Sequence, residues 1–348
     1  MPMFARQFRK TVTTFATIGV VVLSLATTQV CAQDDTTAIG VLNHEAITLK
    51  PLVKSDVATQ FLEAVTYLPL VTPKVFYFNK QSRELIDSAD YFSRSDSARS
   101  GFDPKEYGDE FYYNTRYGTP LAFVRALDLV CLQGVTSIDK ASVIDFGFGS
   151  IGQLRLMASL GATAYGIEVD KFLPLLYNTP RDTGVIPRAT VAGSGDNGAV
   201  HLLYGSFPSD TAIAKQLKGT HDLFVSKNTL KRGYIHPERE ADPRMLINLG
   251  VSDTVFVKSV YDLLKPGGYF MIYNLHPARS KPEEKYIPWS DGRSPFDKSL
   301  LESIGFKVIA FDVDDTPFAH EMGKAIGWDK QMDFSKDLFG MYTLVRKQ

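Results

Sequence analysis

The stretch from Val143 to Asp170 reads VIDFGFGSIGQLRLMASLGATAYGIEVD. Its apolar beginning, VIDF, predicts a buried strand, and Gly147, Gly149 and Gly152 follow with G-x-G-x-x-G spacing. Glycine at the first two positions lets the turn adopt backbone angles closed to other residues and lets a ligand approach the main chain. The third glycine allows a helix to pack closely on the strand. We therefore predict a strand, a glycine turn and a helix that together bind a ligand.

A second strand is predicted from Thr163 to Ile167, and it ends in Glu168. This acid lies on the order of 20 residues past the glycines, where a carboxylate can accept hydrogen bonds from both hydroxyls of a ribose. A glycine fingerprint alone is also compatible with a tight turn that binds nothing. The added acid at Glu168 favours a ligand, so the unit is predicted to bind an adenosine-containing molecule.

An acid also precedes the glycines. Asp145 stands two positions before Gly147, where dinucleotide sites usually have small or aliphatic residues. The D-x-G-x-G pattern from Asp145 to Gly149 resembles the first motif of class I S-adenosylmethionine-dependent methyltransferases, and Gly166-Ile-Glu168 resembles their second. The resemblance implies S-adenosylmethionine as the cofactor, with Asp145 helping to place its methionine part and Glu168 holding its ribose.

Five further strands are predicted after this stretch, with helical segments between them. Alternating strands and helices imply a doubly wound, mostly parallel sheet. The step Leu264-Lys-Pro-Gly-Gly268 is predicted to end a helix and turn into the next strand, and it also resembles the methyltransferase family. The resemblance implies that the last two strands form an antiparallel hairpin. The predicted fold class is α/β, with a doubly wound, mostly parallel seven-stranded sheet, a C-terminal antiparallel hairpin and an N-terminal extension. The five strands are Val200–Tyr204, His221–Val225, Tyr269–Tyr273, Gly305–Phe311 and Met341–Arg346.

Three segments are predicted along the chain: a signal peptide at residues 1–32, an N-terminal extension at 33–116 and the methyltransferase domain at 117–348. The extension contains an amphipathic helix from Ser55 to Tyr67 and many aromatic residues. Two interpretations of it stay open: its rings pack on the core domain, or the segment is a lid over the substrate pocket. Within the third segment, residues 180–198 form an insertion rich in proline and glycine, and its run from Gly193 to Gly198 is predicted to be a surface loop rather than a phosphate cradle.

The first segment has the features of a targeting signal. Arg6, Arg9 and Lys10 give it a positive start, Phe15 to Ala26 is mostly apolar, and small residues follow at a potential cleavage site. The apolar stretch of about 12 residues is short for a membrane span, which needs about 20. We expect a cleaved secretory signal and a secreted or periplasmic protein, with an uncleaved membrane anchor as the alternative.

Charge and cysteine content narrow the classes of function. The full chain has a net charge of −1, and because the leader holds three positive charges and no acid, its removal would make the charge −4. Nothing here indicates nucleic-acid binding. Cys131 would be the one remaining thiol and is predicted to be buried and structural. The six histidines show no metal-site spacing with cysteine or acids, so no metal is predicted.

Candidate catalytic residues lie in the loops after the fourth and fifth strands, because ligands bind beyond the carboxyl ends of strands in open α/β sheets. They are Lys227, Asn228, His236 and His276, and either histidine could act as a base if the acceptor must lose a proton. Ser206 stands where the family contacts adenine, although the family often has an acid there. The Asn/Asp-Pro-Pro-aromatic motif used on exocyclic amines of bases or on amide nitrogens is absent after the fourth strand.

Two later segments are further candidates for parts of a site. The long loop from His276 to Phe296 is predicted to form a pocket wall, because loops of this length are uncommon without a function. The acids Asp312, Asp314 and Asp315 resemble a phosphatase nucleophile motif, but too little chain follows to complete such a domain. They are predicted to be the solvated end of the sixth strand.

Together these features predict an S-adenosylmethionine-dependent methyltransferase that acts on a small molecule or a protein side chain by in-line displacement. A cofactor made in the cytosol fits a secretory leader only if the enzyme stays anchored on the cytosolic side or the cofactor is available where the enzyme is sent. The alternatives are an exported binding or structural protein without catalysis and, more distantly, an NAD(P)-dependent oxidoreductase. The intact Asp145, Gly147, Gly149 and Glu168 favour the enzyme.

Overall fold

Helices and a small antiparallel sheet form the first part of the described structure. The computed structural model describes residues 37–115, 118–217 and 219–348, so the predicted signal peptide and the predicted boundary at residues 116 and 117 lie outside the described residues. The elements of this part are α1 (Ala38–Leu49), α2 (Asp56–Glu63), β1 (Lys74–Asn79), β2 (Glu84–Asp87), α3 (Ser88–Ser93), α4 (Asp96–Arg99), β3 (Phe102–Tyr107) and α5 (Asp109–Tyr113). The strands pair in the order β2-β1-β3.

The extension packs its aromatic rings on the rest of the structure, as one of the two interpretations expects. Phe76 on β1 and Tyr107 on β3 both contact Phe172, with ring centroids 5.6 and 4.9 Å apart. Helix α2 is the predicted amphipathic helix: Ser55 caps it, and a 3-10 turn, Ala64–Tyr67, continues it. The preceding α1 was not predicted from the sequence.

An eight-stranded sheet forms the second part. Its helices and strands in chain order are α6 (Val124–Cys131), β4 (Ser142–Phe146), α7 (Gly152–Ser159), β5 (Thr163–Glu168), α8 (Leu173–Leu176), β6 (Gly184–Ile186), β7 (Gly198–Tyr204), α9 (Thr211–Gln216), β8 (His221–Lys227), α10 (Arg232–Ile235), α11 (Asp253–Leu263), β9 (Leu264–His276), α12 (Lys298–Ile304), β10 (Phe306–Asp314), α13 (Thr316–Ala325), α14 (Phe334–Asp337) and β11 (Phe339–Lys347).

The strand order confirms the predicted fold class. The order across the sheet is β10-β11-β9-β8-β4-β5-β7-β6. The five strands from β9 to β7 in that order run parallel, and β11 pairs antiparallel with both β9 and β10. The chain therefore forms a doubly wound, mostly parallel sheet with an antiparallel C-terminal hairpin.

One more strand is present than the seven predicted. The insertion at residues 180–198, for which no strand is predicted, contains β6, which pairs antiparallel with β7 at the edge of the sheet. Three residues are too few to show a strand periodicity in a sequence, and this segment's prolines and glycines favour a loop. Pairing with the free edge of β7 is what orders these residues.

The segment from Leu264 to Gly268 differs from its prediction as well. It was expected to end a helix and turn before a strand, but β9 already begins at Leu264. Gly267 has a φ of +83°, and the pairing with β8 shifts register between His221 and Leu223. A strand irregularity thus takes the place of a separate turn.

The sheet has a buried apolar cluster on each face. In β4, Val143 belongs to one cluster and Ile144 to the other, because successive side chains of a strand point to opposite faces. In β8, Leu223 and Phe224 divide in the same way. The helices of the extension join the first cluster, through side chains such as Phe61.

The helical segment before β4 begins at a threonine cap. The Thr119 hydroxyl accepts a hydrogen bond from the Leu121 N–H at 3.2 Å, and Pro120 occupies the first helical position, where no N–H is needed. A 3-10 turn then leads into α6. Cys131 ends α6 and is buried, and burial raises the pKa of its thiol to about 12. The prediction of a buried structural cysteine is confirmed.

The acids after the sixth predicted strand are not simply solvated, which corrects the prediction. Asp315 is 6% exposed, and its carboxylate accepts two hydrogen bonds from Arg125, at 2.7 and 2.9 Å. Tyr273 donates a third at 3.0 Å. Asp312 accepts from the Ser294 N–H at 2.7 Å. A partner 190 residues away in the chain keeps Asp315 inside, and no local pattern reveals it.

Neither a membrane span nor a metal cluster is found in the part of the chain that the structure describes. None of its helices is both long and apolar enough to cross a bilayer. None of its groups of histidine, cysteine and acidic residues has three members placed to hold a metal ion.

Candidate cofactor-binding site

A cavity of about 240 Å³ opens at the carboxyl ends of β4, β5 and β8. The chain leaves β4 toward β5 on one side and later returns to β8 on the other, so the cavity lies where the strand order reverses. Ligands of doubly wound sheets bind at this point. We call the wall formed by Asp145, Gly147, Gly149 and Glu168 the glycine side, and the wall formed by residues 227–229 the lysine side.

The glycine turn requires glycine for two reasons. Gly147 and Gly149 have φ values of +78° and +62°, in the left-handed region that residues with a side chain rarely adopt. A Cβ added at Gly147 would also lie 2.0 Å from Oγ1 of Thr229, across the cavity mouth. The turn therefore approaches the lysine side closely and leaves its main chain open to the cavity.

Gly152 has a packing role and does not line the cavity. A Cβ there would lie 2.8 Å from the Pro120 ring and 2.9 Å from the Tyr113 carbonyl oxygen. The first turn of α7 thus packs against the segment that enters the sheet from the extension. The sequence predicted close packing of this helix on the strand, whereas the tight contact is with that segment.

Asp145 is a buried acid with one side-chain partner. Its Oδ2 accepts a hydrogen bond from Nε2 of Gln153 at 3.0 Å, and its side chain is almost fully inaccessible. Burial raises the pKa of Asp145 to about 7, against the opposing effects of the Gln153 hydrogen bond and the charge of Lys227. A cationic ligand group beside Asp145 would favour its ionised form.

Gln153 was not singled out from the sequence. It lines the cavity and also donates to the Phe148 carbonyl at 2.6 Å, so it fixes both the turn and the Asp145 carboxylate. Ser150 donates to its Oε1 at 3.1 Å. The signal available was a polar residue directly after the third glycine, at the start of a helix whose other residues are mostly apolar.

Glu168 lies directly against the glycine turn. Its Oε2 accepts from the Gly149 N–H at 3.3 Å, and its Oε1 accepts from the Val169 N–H at 2.8 Å. Burial raises the pKa of Glu168, and these backbone hydrogen bonds partly oppose the shift. The carboxylate that the sequence assigned to a ribose is therefore placed beside the turn that would receive the same ligand.

Tyr177 is a second residue that sequence reasoning missed. Its hydroxyl accepts from the Ile151 N–H at 3.1 Å and donates to the Tyr112 carbonyl at 2.7 Å. It therefore holds the residue before α7 and ties the glycine turn to the extension. The three residues are far apart in sequence, so no spacing pattern indicates this contact.

On the lysine side, Lys227 ends β8 and lines the cavity. Burial lowers the pKa of its amino group to about 8, although the charge of Asp145 opposes the shift. Asn228 follows with a φ of +66° and lines the cavity too. Its Oδ1 accepts from the Leu275 N–H at 2.7 Å, so its side-chain oxygen secures the end of β9.

In addition to Gly152, three of the predicted site residues lie outside this cavity. His236 ends the α10 turn, with Nε2 2.8 Å from Oδ2 of Asp253. His276 is buried with Nδ1 2.9 Å from the Pro277 carbonyl oxygen, and burial lowers its pKa. Ser206 is exposed. The structure thus brings Lys227 and the glycine-side residues together, and does not bring the histidines or Ser206 to them.

The loop predicted to wall the pocket lies elsewhere too. Residues 277–295 are absent from the cavity lining, and the loop hydrogen-bonds to the α10 region instead. The Arg232 N–H donates to the Arg293 carbonyl at 2.8 Å, and Asn274 donates to the Gly292 carbonyl at 2.9 Å. Its length serves packing beyond the lysine side.

No family model and no curated protein matches this chain. Among solved structures, it is similar to a candidate sarcosine dimethylglycine methyltransferase from Galdieria sulphuraria, with 13% identity, coverage of 67% of this chain and 88% of that one, and a TM-score of 0.39. It is also similar to phosphoethanolamine N-methyltransferase 2 from Haemonchus contortus, solved with S-adenosylhomocysteine. The identity is 12%, the coverage is 71% of this chain and 62% of that one, and the TM-score is 0.38. For the cyclase SpnF, the identity is 15%, the coverage is 84% of this chain and 93% of that one, and the TM-score is 0.36. Function therefore has to be inferred from the cavity's own residues.

Proposed function

We propose that this protein binds S-adenosylmethionine and transfers its methyl group to a small molecule or a protein side chain. The observation that carries the proposal is the glycine side of the cavity. A turn made of Gly147 and Gly149 lies at the switch point of the sheet, with Glu168 hydrogen-bonded to it and Asp145 buried behind it. Each of these features suits one part of the cofactor.

Glu168 would hold the ribose. Its two oxygens now accept from backbone N–H groups, one of them the Gly149 N–H at a long 3.3 Å. A carboxylate has room for about four hydrogen bonds, so it can accept from two hydroxyls without losing both backbone contacts. The glycine turn beside it leaves space for the ligand to lie against the main chain.

Asp145 would face the methionine part, which carries an ammonium group and the sulfonium. Removing Asp145 from water disfavours its negative charge, and a positive ligand nearby restores it. Gln153 keeps the carboxylate oriented through its 3.0 Å hydrogen bond. The acid is thereby held in one geometry before the ligand arrives.

The cofactor supplies an electrophilic methyl group on sulfur. What the chain must add is alignment, because holding two reacting atoms in line accounts for a large part of the acceleration of such displacements. The carboxyl ends of β4 and β8 form the two walls of the cavity, so an acceptor entering by the lysine side would meet the methyl group between them. Rigid strands rather than a loop would set that alignment.

The leader sequence bears on where this reaction takes place. Its positive start and short apolar stretch support a secreted or periplasmic protein, with a membrane anchor as the alternative. Export away from the cofactor supply also supports a second candidate function, an exported binding protein that keeps the fold without catalysis. Retention of both acids and both glycines supports the enzyme over that candidate.

Calorimetric titration with S-adenosylmethionine and S-adenosylhomocysteine tests the proposal. We expect micromolar binding, about 8 kcal/mol, for the wild type and a loss of tenfold or more in Glu168→Ala. Glu302→Ala, which removes an exposed acid on α12, is the matched control and should bind like the wild type. Absence of binding for both ligands would overturn the proposal, and a fluorescence titration with reduced nicotinamide nucleotide would then test the oxidoreductase alternative.

A further inference from the structure

Two lysines lie at the end of β8, and they use their amino groups differently. Lys231 is 4% exposed, donates to the Leu275 carbonyl at 2.6 Å and lies over the Tyr234 ring at 5.6 Å. Lys227 lines the cavity, and among the described residues its amino group has neither a hydrogen-bond nor an ion-pair partner. The Lys227 amino group is therefore free to bind a ligand that enters the cavity.

The position of Lys227 relative to the two acids indicates what it faces. Glu168 ends β5, Asp145 lies in β4, and Lys227 ends β8, in that order across the sheet. If the ribose lies at Glu168 and the methionine part at Asp145, the reactive end of the cofactor points toward β8. Lys227 is the one cation among the described residues that line the cavity.

We propose that Lys227 is the base that accepts the acceptor's proton, and that the acceptor is a hydroxyl group of the phenol type. The inference rests on the proposed methyltransferase function and assigns it a substrate class. A phenol has a pKa near 10, about two units above that of the Lys227 ammonium, so a neutral amine held beside the hydroxyl can take its proton as the oxygen attacks. A carboxylate acceptor would need no base. The rings of Phe123 and Phe148 in the cavity lining suit an aromatic acceptor.

The step balances without a further reactant. The neutral Lys227 amine takes the hydroxyl proton, the phenolate oxygen attacks the methyl carbon, and the carbon–sulfur bond breaks with its electron pair returning to sulfur. The products are a methyl ether, S-adenosylhomocysteine and a Lys227 ammonium. In the net reaction the sulfonium loses its positive charge and Lys227 gains one. The Lys227 ammonium stabilises the phenolate while it attacks the methyl carbon.

Several groups set the charge around Lys227. Asp145 on β4 favours its ammonium form, and Lys231 on the α10 side opposes it. Among the described residues that line the cavity, the other titratable groups are Glu168 and Asp170, while His276 interacts with Lys231 and Glu45 hydrogen-bonds to Thr119. The pKa of Asp145 is raised to about 7 and that of Lys231 is lowered to about 7, so either could titrate in the same range. Variants of Lys227 itself must therefore separate its contribution.

The test compares S-adenosylmethionine, whose sulfur is positive, with S-adenosylhomocysteine, whose sulfur is neutral. A Lys227 ammonium beside the sulfur repels only the first ligand. In the wild type, the affinity ratio of the first ligand to the second should rise about tenfold between about pH 6.5 and 9.5, equivalent to a coupling of one pKa unit. Each titration is calorimetric and uses the intact protein.

Two substitutions fix the charge at this position. Lys227→Arg keeps a positive charge at every pH, so its ratio should stay low, and Lys227→Met removes the charge, so its ratio should stay high. Lys171→Met removes an exposed lysine beside Asp170 and should behave like the wild type. If the pH dependence persists in Lys227→Met, Asp145 or Lys231 causes it and the inference is wrong.

A phenol tests the acceptor class directly. We expect 4-nitrophenol to bind the protein saturated with S-adenosylhomocysteine as the coloured phenolate, and to lose this signal in Lys227→Met. Failure of the phenolate to bind, or equal binding to both proteins, would overturn the assignment. These outcomes differ from failure of the proposed function, in which neither S-adenosyl ligand binds at all.

Discussion

Two acids at the carboxyl ends of strands in this sheet use their charges in opposite ways. Asp315, after β10, accepts two hydrogen bonds from the Arg125 guanidinium and one from Tyr273. Asp145, in β4, accepts one side-chain hydrogen bond, from the neutral amide of Gln153. Both carboxylates are buried, at 6% and 1% exposure. Within the described residues, Asp315 therefore has a hydrogen-bonded cation inside the protein, and Asp145 does not.

The difference separates a structural acid from a binding acid. A buried carboxylate held by a guanidinium has its charge compensated, and removing it strands the guanidinium. A buried carboxylate without a cation is costly to ionise, and a positive ligand relieves that cost. Residue type and position at a strand end are the same in both cases, so only the partners distinguish them.

The largest effect is expected for Asp315→Ala. The variant removes both hydrogen bonds that the buried Arg125 guanidinium donates to Asp315 and leaves Asp128, 3.5 Å away, as its remaining acidic partner, which costs about 3–4 kcal/mol of unfolding free energy. Denaturant unfolding measures this loss, while affinity for S-adenosylmethionine should be retained at temperatures where the variant is folded.

Asp314→Ala is the matched control, because Asp314 is exposed and mainly accepts from the Thr316 N–H at 2.9 Å. It should cost about 1 kcal/mol, as the loss of a helix cap does. Equal losses in the two variants would remove the distinction between the paired acid and its solvated neighbour.

Gly147→Ala should give the next largest effect, and it should lower the affinity for the ligand rather than the stability of the sheet. The added Cβ would sit 2.0 Å from Thr229 Oγ1 at a φ of +78°, so the turn must move away from the cavity. We expect S-adenosylmethionine affinity to fall about a hundredfold, near 3 kcal/mol.

Gly193→Ala controls for the backbone strain alone, since its φ is +70° and nothing lies within 4 Å of the added Cβ. Calorimetry should show it binding like the wild type. A Gly147→Ala variant with unchanged affinity would mean that the Asp145 end of the sheet does not hold the ligand.

The smallest effect concerns the charge of Asp145. Its pKa is raised to about 7 in the folded protein and is about 3.9 when unfolded, so wild-type stability falls as pH rises through this interval. Asp145→Asn lacks that loss. Its stability relative to the wild type should therefore increase by about 2 kcal/mol from about pH 5 to pH 7, measured by denaturant unfolding. A constant difference would show that Asp145 is compensated in the way Asp315 is.

Local patterns in the sequence were enough to predict much of the fold and the glycine side of the site. The strands around the glycine turn were predictable because an apolar run, three glycines and an acid lie within 28 residues, from Val143 to Asp170. Strand β6 was not, because three residues at a sheet edge show no periodicity. Helix α1 was missed although Thr37 caps it at the Gly40 N–H.

Contacts between distant segments account for the remaining differences. Tyr177 reaches the glycine turn from 26 residues beyond it, and Arg125 reaches Asp315 across 190. On the lysine side, Lys227 and the two histidines were all predicted as site residues because they follow the ends of strands. Side-chain direction then separated them: Lys227 lines the cavity, whereas His276 packs against Phe339 with ring centroids 5.8 Å apart.

The most direct test of the central claim is a crystal structure of the protein with S-adenosylhomocysteine. We expect the ligand in the cavity at the ends of β4, β5 and β8, with its ribose hydroxyls on Glu168 and its sulfur facing Lys227. A ligand bound in another cavity, or in this one with its ribose away from Glu168, would show that the glycine side is not the cofactor site.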